Sequence, residues 1–419
     1  MKRFRSQPKT KEKFLTLTIE RIVPDGYGIG FVEGLTVFVP LVAPGDVVKA
    51  RIEKQKGTVA FASAVEILTP SPDRVMPPCP YFGRCGGCDF QQLNYPTQLR
   101  AKVGIVKDAL RRIGKIDWKD AIEIVASPAE WNYRTRAQWK RENDKLGYFS
   151  RFSHRVIDVA VCPILAPALQ QELDRQRENL KQTDFTEIQV VSSDTKVSRR
   201  TGRGMEIFDE NFYAANSEIS QEEREISTDQ TSAPEVQQKI GAFEYSFNAA
   251  TFFQVNHRLL TNFIETALGD ANGKLALDLY CGVGLFSLFL AGKFSQVIGV
   301  EGNRSSVEFA EKNARRAGAT NVSFKTAWVN EWLRQNSEQL EKIDFVLLDP
   351  PRAGAERATI ECLLALKPRE IVYVSCNPTT LARDLKLLMQ IYKIEQITAF
   401  DFFPQTHHIE TVVRLKQIN

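Results

Sequence analysis

The stretch Asp278-Leu-Tyr-Cys-Gly-Val-Gly284 limits the fold of this chain more than any other. The apolar run LALDLY leads into it and a second apolar run leaves it, so it reads as a strand that turns through glycines into a helix. Glu301 follows 23 residues after Asp278, at the end of the next strand-like run, QVIGVE. The alternation then continues through VSFKT, FVLLD, EIVYVSC, ITAFDFF and IETVVRL, with amphipathic stretches between most of them. In RSSVEFAEKNARRAGA, Val307, Ala310, Ala314 and Ala317 share one helical face. The pattern predicts an α/β region, a doubly wound sheet over 241–419 with ligands at the carboxyl ends of its strands.

Such a glycine turn lets a ligand approach the backbone, and the helix start favours polar groups. An acid at the position of Glu301 can accept hydrogen bonds from a ribose diol. A nicotinamide dinucleotide loop would carry a third glycine at 287, where Ser287 stands. DLYCGVG instead resembles motif I of the class I S-adenosylmethionine methyltransferases.

The rest of the 419 residues must make further domains, because single cores rarely pass ~250–300 residues. With 43% hydrophobic and 25% charged residues the chain is of globular composition, and a net charge of +4 names no partner. Leu275–Ala291, the most apolar stretch, is broken by Asp278 and two glycines, so no membrane span is expected. The start MKRFRSQPKTKEKF is a basic tail without the apolar core of a signal peptide. Seven cysteines are too few for a disulfide scaffold, which predicts a cytoplasmic protein. Residues 14–68 read as five short strands punctuated by PDGYG, EG, APGD and KG, an OB-like barrel at 10–68. Residues 96–114 have helical spacing, 130–213 read as mixed strands and loops, and the acid-rich stretch 216–238 reads as a flexible loop.

Cys79, Cys85 and Cys88 stand as C-x5-C-x2-C, with Cys162 as candidate fourth ligand. Four thiolates suit zinc or an iron–sulfur cluster; a tight trio plus one remote cysteine favours [4Fe–4S] over paired zinc knuckles. Such a fully ligated cluster would have a structural or RNA-positioning role. Cys376 ends a strand in Val-Ser-Cys-Asn-Pro378, on the sheet edge where the glycine turn also emerges. Asp349-Pro-Pro-Arg352 ends the preceding strand, and Glu410 closes QTHHIE between the last two strands.

Taken jointly, CPYFGRCGGC, FFQVN at 252–256, DLYCGVG, DPPR, SCNP and QTHHIE resemble the RNA uracil-C5 methyltransferases, in their iron–sulfur branch that modifies 23S ribosomal RNA. The resemblance spans almost the whole chain. It implies an N-terminal TRAM barrel, a central α+β iron–sulfur domain over 71–240 and a C-terminal methyltransferase domain. It assigns nucleophilic attack to Cys376 and proton abstraction to Glu410. Cofactor contacts fall on Gln254, Tyr280, Glu301 and Asp349, and on position 285, where Leu285 replaces the family's asparagine. It implies S-adenosylmethionine and a [4Fe–4S] cluster on Cys79, Cys85, Cys88 and Cys162, with a monomer as the working form. RNA is the partner, 23S ribosomal RNA first and transfer RNA second.

The chemistry asks for such a pair. Thiolate addition at C6 of uracil gives C5 the carbanion character that accepts a methyl group, and a base must then remove the C5 proton. The base must also be unstacked. Segment 131–155 suits that task, with seven Lys/Arg against two acids among Trp131, Tyr133, Trp139, Tyr148, Phe149 and Phe152. A cytosine-C5 enzyme would carry a thiol where DPPR stands. A non-enzymatic cluster protein would not need DLYCGVG, SCNP and the terminal acid together.

Overall fold

The computed structural model describes residues 13–194, 196–202, 233–340 and 342–418, and the chain divides into two compact units. The basic tail before Lys13 and most of the acid-rich segment 216–238 lie outside the described residues.

The first unit takes the chain up to Gly83, then Cys88–Ile105 and the short return Gln405–His407. Its strands are β1 (Phe14–Thr18), β2 (Arg21–Ile22), β3 (Gly28–Val32), β4 (Leu35–Val39), β5 (Val47–Lys56) and β6 (Val59–Thr69), in the order β1-β5-β6-β4-β3-β2. The run expected as one strand, FLTLTIERIV, is two: the Ile19 N–H still bonds to the Asp46 carbonyl beside β5, but Glu20 donates to the Ile29 carbonyl and the chain goes on paired with β3. Leu15, Leu17, Val37, Val39, Val48, Ala50, Ala60 and Ala62 alternate inward and form the barrel core. Gly30 has to be glycine: a Cβ there would sit 2.4 Å from the Thr18 carbonyl.

The second unit holds Arg84–Gly87, Val106–Pro404 and His408–Asn419. Its strands are β7 (Glu123–Val125), β8 (Arg136–Glu142), β9 (Lys145–Phe149), β10 (Val156–Asp158), β11 (Glu187–Ser192), β12 (Val197–Gly202), β13 (Val236–Ile240) and β14 (Phe243–Phe247). They continue with β15 (Gly273–Leu279), β16 (Phe294–Glu301), β17 (Val322–Thr326), β18 (Phe345–Leu348), β19 (Glu370–Ser375), β20 (Tyr392–Phe400) and β21 (Glu410–Gln417). β8 to β12 form an antiparallel sheet ordered β10-β9-β8-β11-β12. The large sheet runs β17-β16-β15-β18-β19-β21-β20-β7. β15 to β19 are mutually parallel, whereas β21 runs antiparallel to β19 and β20. The strand order therefore reverses between β15 and β18, which opens a crevice at their carboxyl ends. Phe263, Phe286, Phe345, Phe400 and Phe402 lie in the core beneath it.

Two sequence expectations are corrected, and a third is met. Residues 236–238 are not loop: they begin β13, paired with β14, and Val236 is buried in the core. Within 130–213 the segment Pro167–Glu178 is a helix, burying Leu169 and Leu173 one turn apart behind a proline at its start. The helix expected over 96–114 is present: Tyr95–Ala109 is α-helical, Leu110–Gly114 continues it as a wider π-helical turn, and Lys115 ends it left-handed at φ 57°. Among the described residues no helix is long and apolar enough to cross a membrane.

Candidate active site

The glycine turn follows β15 and bends through left-handed backbone at Tyr280 (φ 65°), Gly282 (φ 53°) and Gly284 (φ 84°). A tyrosine in that region is strained by about 1–3 kcal/mol, so neighbours must hold it. Tyr280 is held by its phenol, which bonds to Glu356 and lies 3.5 Å from the Thr359 hydroxyl. A Cβ on Gly282 would meet nothing within 4 Å, so the turn faces open space there. Asn313 supports the turn from below: its Nδ2 donates to the Val283 carbonyl at 3.0 Å and the Ser246 carbonyl at 3.1 Å, and its Oδ1 accepts the Ser246 N–H at 2.8 Å.

Register brings the acids to this turn. Leu279 pairs with Val300 on one side and Leu348 on the other, so the next rung is Glu301, Tyr280 and Asp349. Glu301 accepts the Gly282 N–H at 3.1 Å and the Asn303 N–H at 2.7 Å. A carboxylate has about four acceptor sites, so capacity remains for a ligand diol. Asp278 is fully buried; its Oδ2 accepts the Ser287 hydroxyl at 2.5 Å, while Oδ1 has no partner. Burial pushes Asp278 up to about 7, the Glu301 charge adding to it. Asp349 is likewise raised to about 7 by burial, then by Asp278 and Glu301. Burial also raises Glu301, against the N–H groups that bond it. Three crowded, poorly solvated carboxylates beside an open turn fit a ligand bearing both hydroxyls and positive charge. S-adenosylmethionine is such a ligand.

Cys376 emerges one residue beyond β19. Asn377 beside it caps the next helix, Pro378–Leu388, accepting the Thr379 N–H at 3.0 Å. The Asn377 amide also donates to the Arg352 carbonyl at 3.1 Å, as does the Thr380 hydroxyl at 3.1 Å. DPPR and SCNP are thus clasped at one edge. β19 and β21 pair down to Ser375 opposite Thr411, and the continuation of that register sets Cys376 opposite Glu410. Because β21 is antiparallel, its beginning meets the edge where the parallel strands end. Glu410 is buried there.

The other sequence candidates fall differently. Gln254 sits on the segment that stacks Phe253 on Phe247, ring centroids 4.1 Å apart, and its Oε1 is buried without a partner. Leu285 turns its side chain into the core, so only its backbone faces the turn; its carbonyl accepts the Tyr245 hydroxyl at 2.8 Å. Trp139 and Tyr133 are buried rather than displayed to a base, Tyr133 donating to the Pro404 carbonyl at 2.9 Å. Phe149 and Phe152 are exposed, each with a cation over its ring, Lys140 at 5.4 Å and Arg151 at 5.7 Å. Among the described residues no three Cys, His, Asp or Glu side chains gather closely enough to hold a metal ion. Of the four cysteines, Cys85 and Cys162 both act on the Tyr148 phenol, whose pKa is raised first by burial and further by these two thiols.

Sequence reasoning missed Ser287, Asn313, Glu356, Thr359 and Asn377. Ser287 had a signal, standing where a third glycine would fall. The others hold backbone that only the folded chain brings near them.

The sequence profile described as tRNA (uracil-5-)-methyltransferase matches residues 220–418, and that of the TRAM domain of tRNA (uracil(54)-C(5))-methyltransferase matches 15–72. An uncharacterized RNA methyltransferase of Aquifex aeolicus is 34% identical over 430 residues, covering 97% of this chain and 99% of its own. The tRNA (uracil(54)-C(5))-methyltransferase of Schizosaccharomyces pombe is 32% identical over 434 residues, 96% of this chain and 78% of that one. The crystal structure of Pyrococcus abyssi tRNA (uracil-54, C5)-methyltransferase with S-adenosyl-L-homocysteine superposes with a TM-score of 0.70 at 26% identity, covering 95% of this chain and all of that one. A methyltransferase sheet with its acid-lined glycine turn, a TRAM barrel and these relatives agree: the chain belongs to the RNA uracil-C5 methyltransferase family and is an S-adenosylmethionine-dependent enzyme acting on RNA.

Proposed function

We propose that this enzyme forms 5-methyluridine through a covalent adduct on Cys376, with Glu410 as the base. The reading rests on the β19–β21 register, which sets those two residues opposite each other at the sheet edge carrying Tyr280, Glu301 and Asp349. S-adenosylmethionine, when bound, would supply an electrophilic methyl group, the electrons of its S–CH3 bond staying on sulfur so that S-adenosylhomocysteine is the leaving group. Tyr280, Glu301 and Asp349 bind and orient it, with Gln254 contributing from the 252–256 segment. The thiolate of Cys376 forms a bond to C6, and the electrons of the 5,6-double bond move to C5 and the O4 enolate. After C5 has taken the methyl group, the Glu410 carboxylate removes the C5 proton. The electrons of that C–H bond restore the 5,6-double bond and expel the thiolate, so the enzyme is regenerated. Asp349 sits on the same edge and orients the uracil or the cofactor.

The substrate we assign is a uridine of 23S ribosomal RNA, on the resemblance carried by CPYFGRCGGC. Transfer RNA is the second reading, favoured by the names of the S. pombe and P. abyssi relatives. The cluster belongs with the first reading: on the same resemblance, Cys79, Cys85, Cys88 and Cys162 would hold [4Fe–4S]. The enzyme works as a cytoplasmic monomer.

Mapping 5-methyluridine in ribosomal and transfer RNA of a strain lacking this gene tests the substrate. Loss of one ribosomal site is expected; loss of a transfer RNA site alone establishes the second reading, and an unchanged map of both refutes the function. In purified enzyme, Cys376→Ala abolishes turnover while cofactor binding survives. Full activity of that variant rules out the covalent route.

A further inference from the structure

The loop 350–356 leads from β18 into the helix Arg357–Leu366, and both of its ends reach the cofactor turn. Just before it, the Asp349 N–H donates to the Leu279 carbonyl at 3.3 Å. At its end, the Glu356 carboxylate holds the Tyr280 phenol and accepts the Thr359 hydroxyl at 3.2 Å. Between these points the loop joins no sheet ladder: Pro350 and Pro351 have no N–H, and the Gly354 N–H turns back to the Pro351 carbonyl at 2.8 Å.

Its middle is held by the helix Pro378–Leu388, which begins two residues after Cys376. Asp384 of that helix is only 1% exposed. Its carboxylate accepts the Tyr373 hydroxyl at 2.7 Å, the Ala355 N–H at 3.0 Å, and Arg383 Nε and Nη2 at 2.8 and 3.2 Å. The Tyr373 oxygen also accepts the Ala355 N–H, at 3.0 Å. Arg383 Nη2 donates to the carbonyls of Ala353 at 3.0 Å and Ala355 at 3.2 Å. Gly354 is left-handed at φ 80°, and a Cβ there would lie 2.7 Å from Asp384 Oδ2, so the loop is pressed against this carboxylate.

Burying a charge is costly unless its acceptor sites are used. Packing the helix does not ask for it, since Leu381, Ala382 and Leu385 are buried on the same helix. What the carboxylate fixes is the N–H of Ala355, the residue before Glu356. β18 fixes only the start of the loop. The next helix does not fix Glu356 either, which is extended at φ −63° and ψ 144°. The contacts to Ala355 are therefore the last hold on the chain before the carboxylate that grips Tyr280. The two phenol–carboxylate pairs adjoin: burial raises the Tyr280 phenol first, the Glu356 charge adds to it, and the Asp384 charge adds again. Methyl transfer is sensitive to such placement, because a shift of about 1 Å can cost on the order of 100-fold in rate.

We propose that Asp384, with Tyr373, is a positioning residue for the S-adenosylmethionine turn, acting through Ala355 and Glu356 on the Tyr280 phenol. It ties the cofactor turn to the helix that begins behind Cys376. The proposal rests on the cofactor role given above to Tyr280.

The test uses full-length Asp384→Asn, Tyr373→Phe, Glu356→Ala, the double variant Asp384→Asn with Glu356→Ala, Tyr280→Ala and wild-type enzyme. Dissociation constants for S-adenosylmethionine are read by titration calorimetry well below the Tm of each protein, and methyl transfer to RNA gives kcat and KM. Asp384→Asn and Glu356→Ala each weaken S-adenosylmethionine about 3- to 30-fold, with kcat at saturating cofactor within about threefold of wild type. Tyr373→Phe, which removes one hydroxyl and keeps the carboxylate, gives a smaller effect in the same direction. The double variant binds within about twofold of the weaker single one, because both changes break one chain of contacts. Unchanged cofactor affinity in Asp384→Asn overturns the proposal, and a lowered Tm beside it marks a role in stability alone. If Asp384→Asn does not fold, unchanged affinity in Tyr373→Phe overturns it, and fully additive losses in the double variant do the same. Wild-type affinity in Tyr280→Ala overturns Tyr280 as a cofactor contact, and the role of Asp384 with it, while leaving the adduct on Cys376 standing.

Discussion

Asp278→Asn makes the electrostatics of the cofactor turn measurable. A carboxyl raised from 3.8 to about 7 holds its proton more tightly in the folded chain than in the unfolded one. Its ionisation therefore costs folding nothing below the unfolded value, progressively more as pH rises, and about 4 kcal/mol above pH 7. Between pH 5 and pH 8 the cost grows by roughly 3 kcal/mol. Asparagine keeps an acceptor for the Ser287 hydroxyl and removes the charge. The cofactor-free variant should thus gain on wild type as pH rises, by about 3–5 °C in Tm between pH 5 and pH 8. Asp349 strengthens the trend, since the Asp278 charge is one cause of its own rise to about 7. Thermal unfolding of both proteins at several pH values, without cofactor, is the assay. A Tm difference that stays flat from pH 5 to pH 8 refutes the crowding of these carboxylates. Asp278→Asn should also weaken S-adenosylmethionine at pH 8 by titration calorimetry, because it removes a negative charge from beside the turn.

Other outcomes follow from the same geometry. Asn377→Ala removes both the cap of the Pro378–Leu388 helix and the bond to the Arg352 carbonyl. It should cost about 1–2 kcal/mol in chemical denaturation, with kcat falling more than cofactor affinity. On the barrel, Phe61 is exposed and stacked on Phe38, centroids 5.2 Å apart, with Lys54 paired opposite Phe61. Phe61→Ala should weaken RNA by about 1–3 kcal/mol in filter binding at fixed salt, while S-adenosylmethionine affinity is unchanged. Anaerobically purified protein should carry four iron and four sulfide per chain, and Cys162→Ser should lose them.

Much of this was legible because chain neighbours carried it. Asp278, Glu301 and Asp349 end strands whose order is set by crossover connections, so a sequence pattern predicts that they share an edge. Cys376 and Glu410 are legible for the same reason, once β21 is read as returning antiparallel. What escaped the sequence depends on which side of an element faces inward. Trp139 and Tyr133 share a basic, aromatic segment with Phe149 and Phe152, yet the first two are core and the last two are exposed. Leu285 stands in a polar turn and packs into the apolar cluster. Residues 236–238 read as loop beside an acidic stretch, because the partner strand that orders them lies across a turn. The helix Pro167–Glu178 carries only two buried leucines, too few to outweigh its charged residues.

The most direct test of the central claim is peptide mass spectrometry after reaction with S-adenosylmethionine and RNA carrying 5-fluorouridine at the target. Fluorine cannot leave as a proton does, so the adduct persists. The account predicts one modified peptide, with a methylated fluoropyrimidine nucleotide on the sulfur of Cys376. A modified residue elsewhere, or no adduct from enzyme that methylates ordinary RNA, contradicts it.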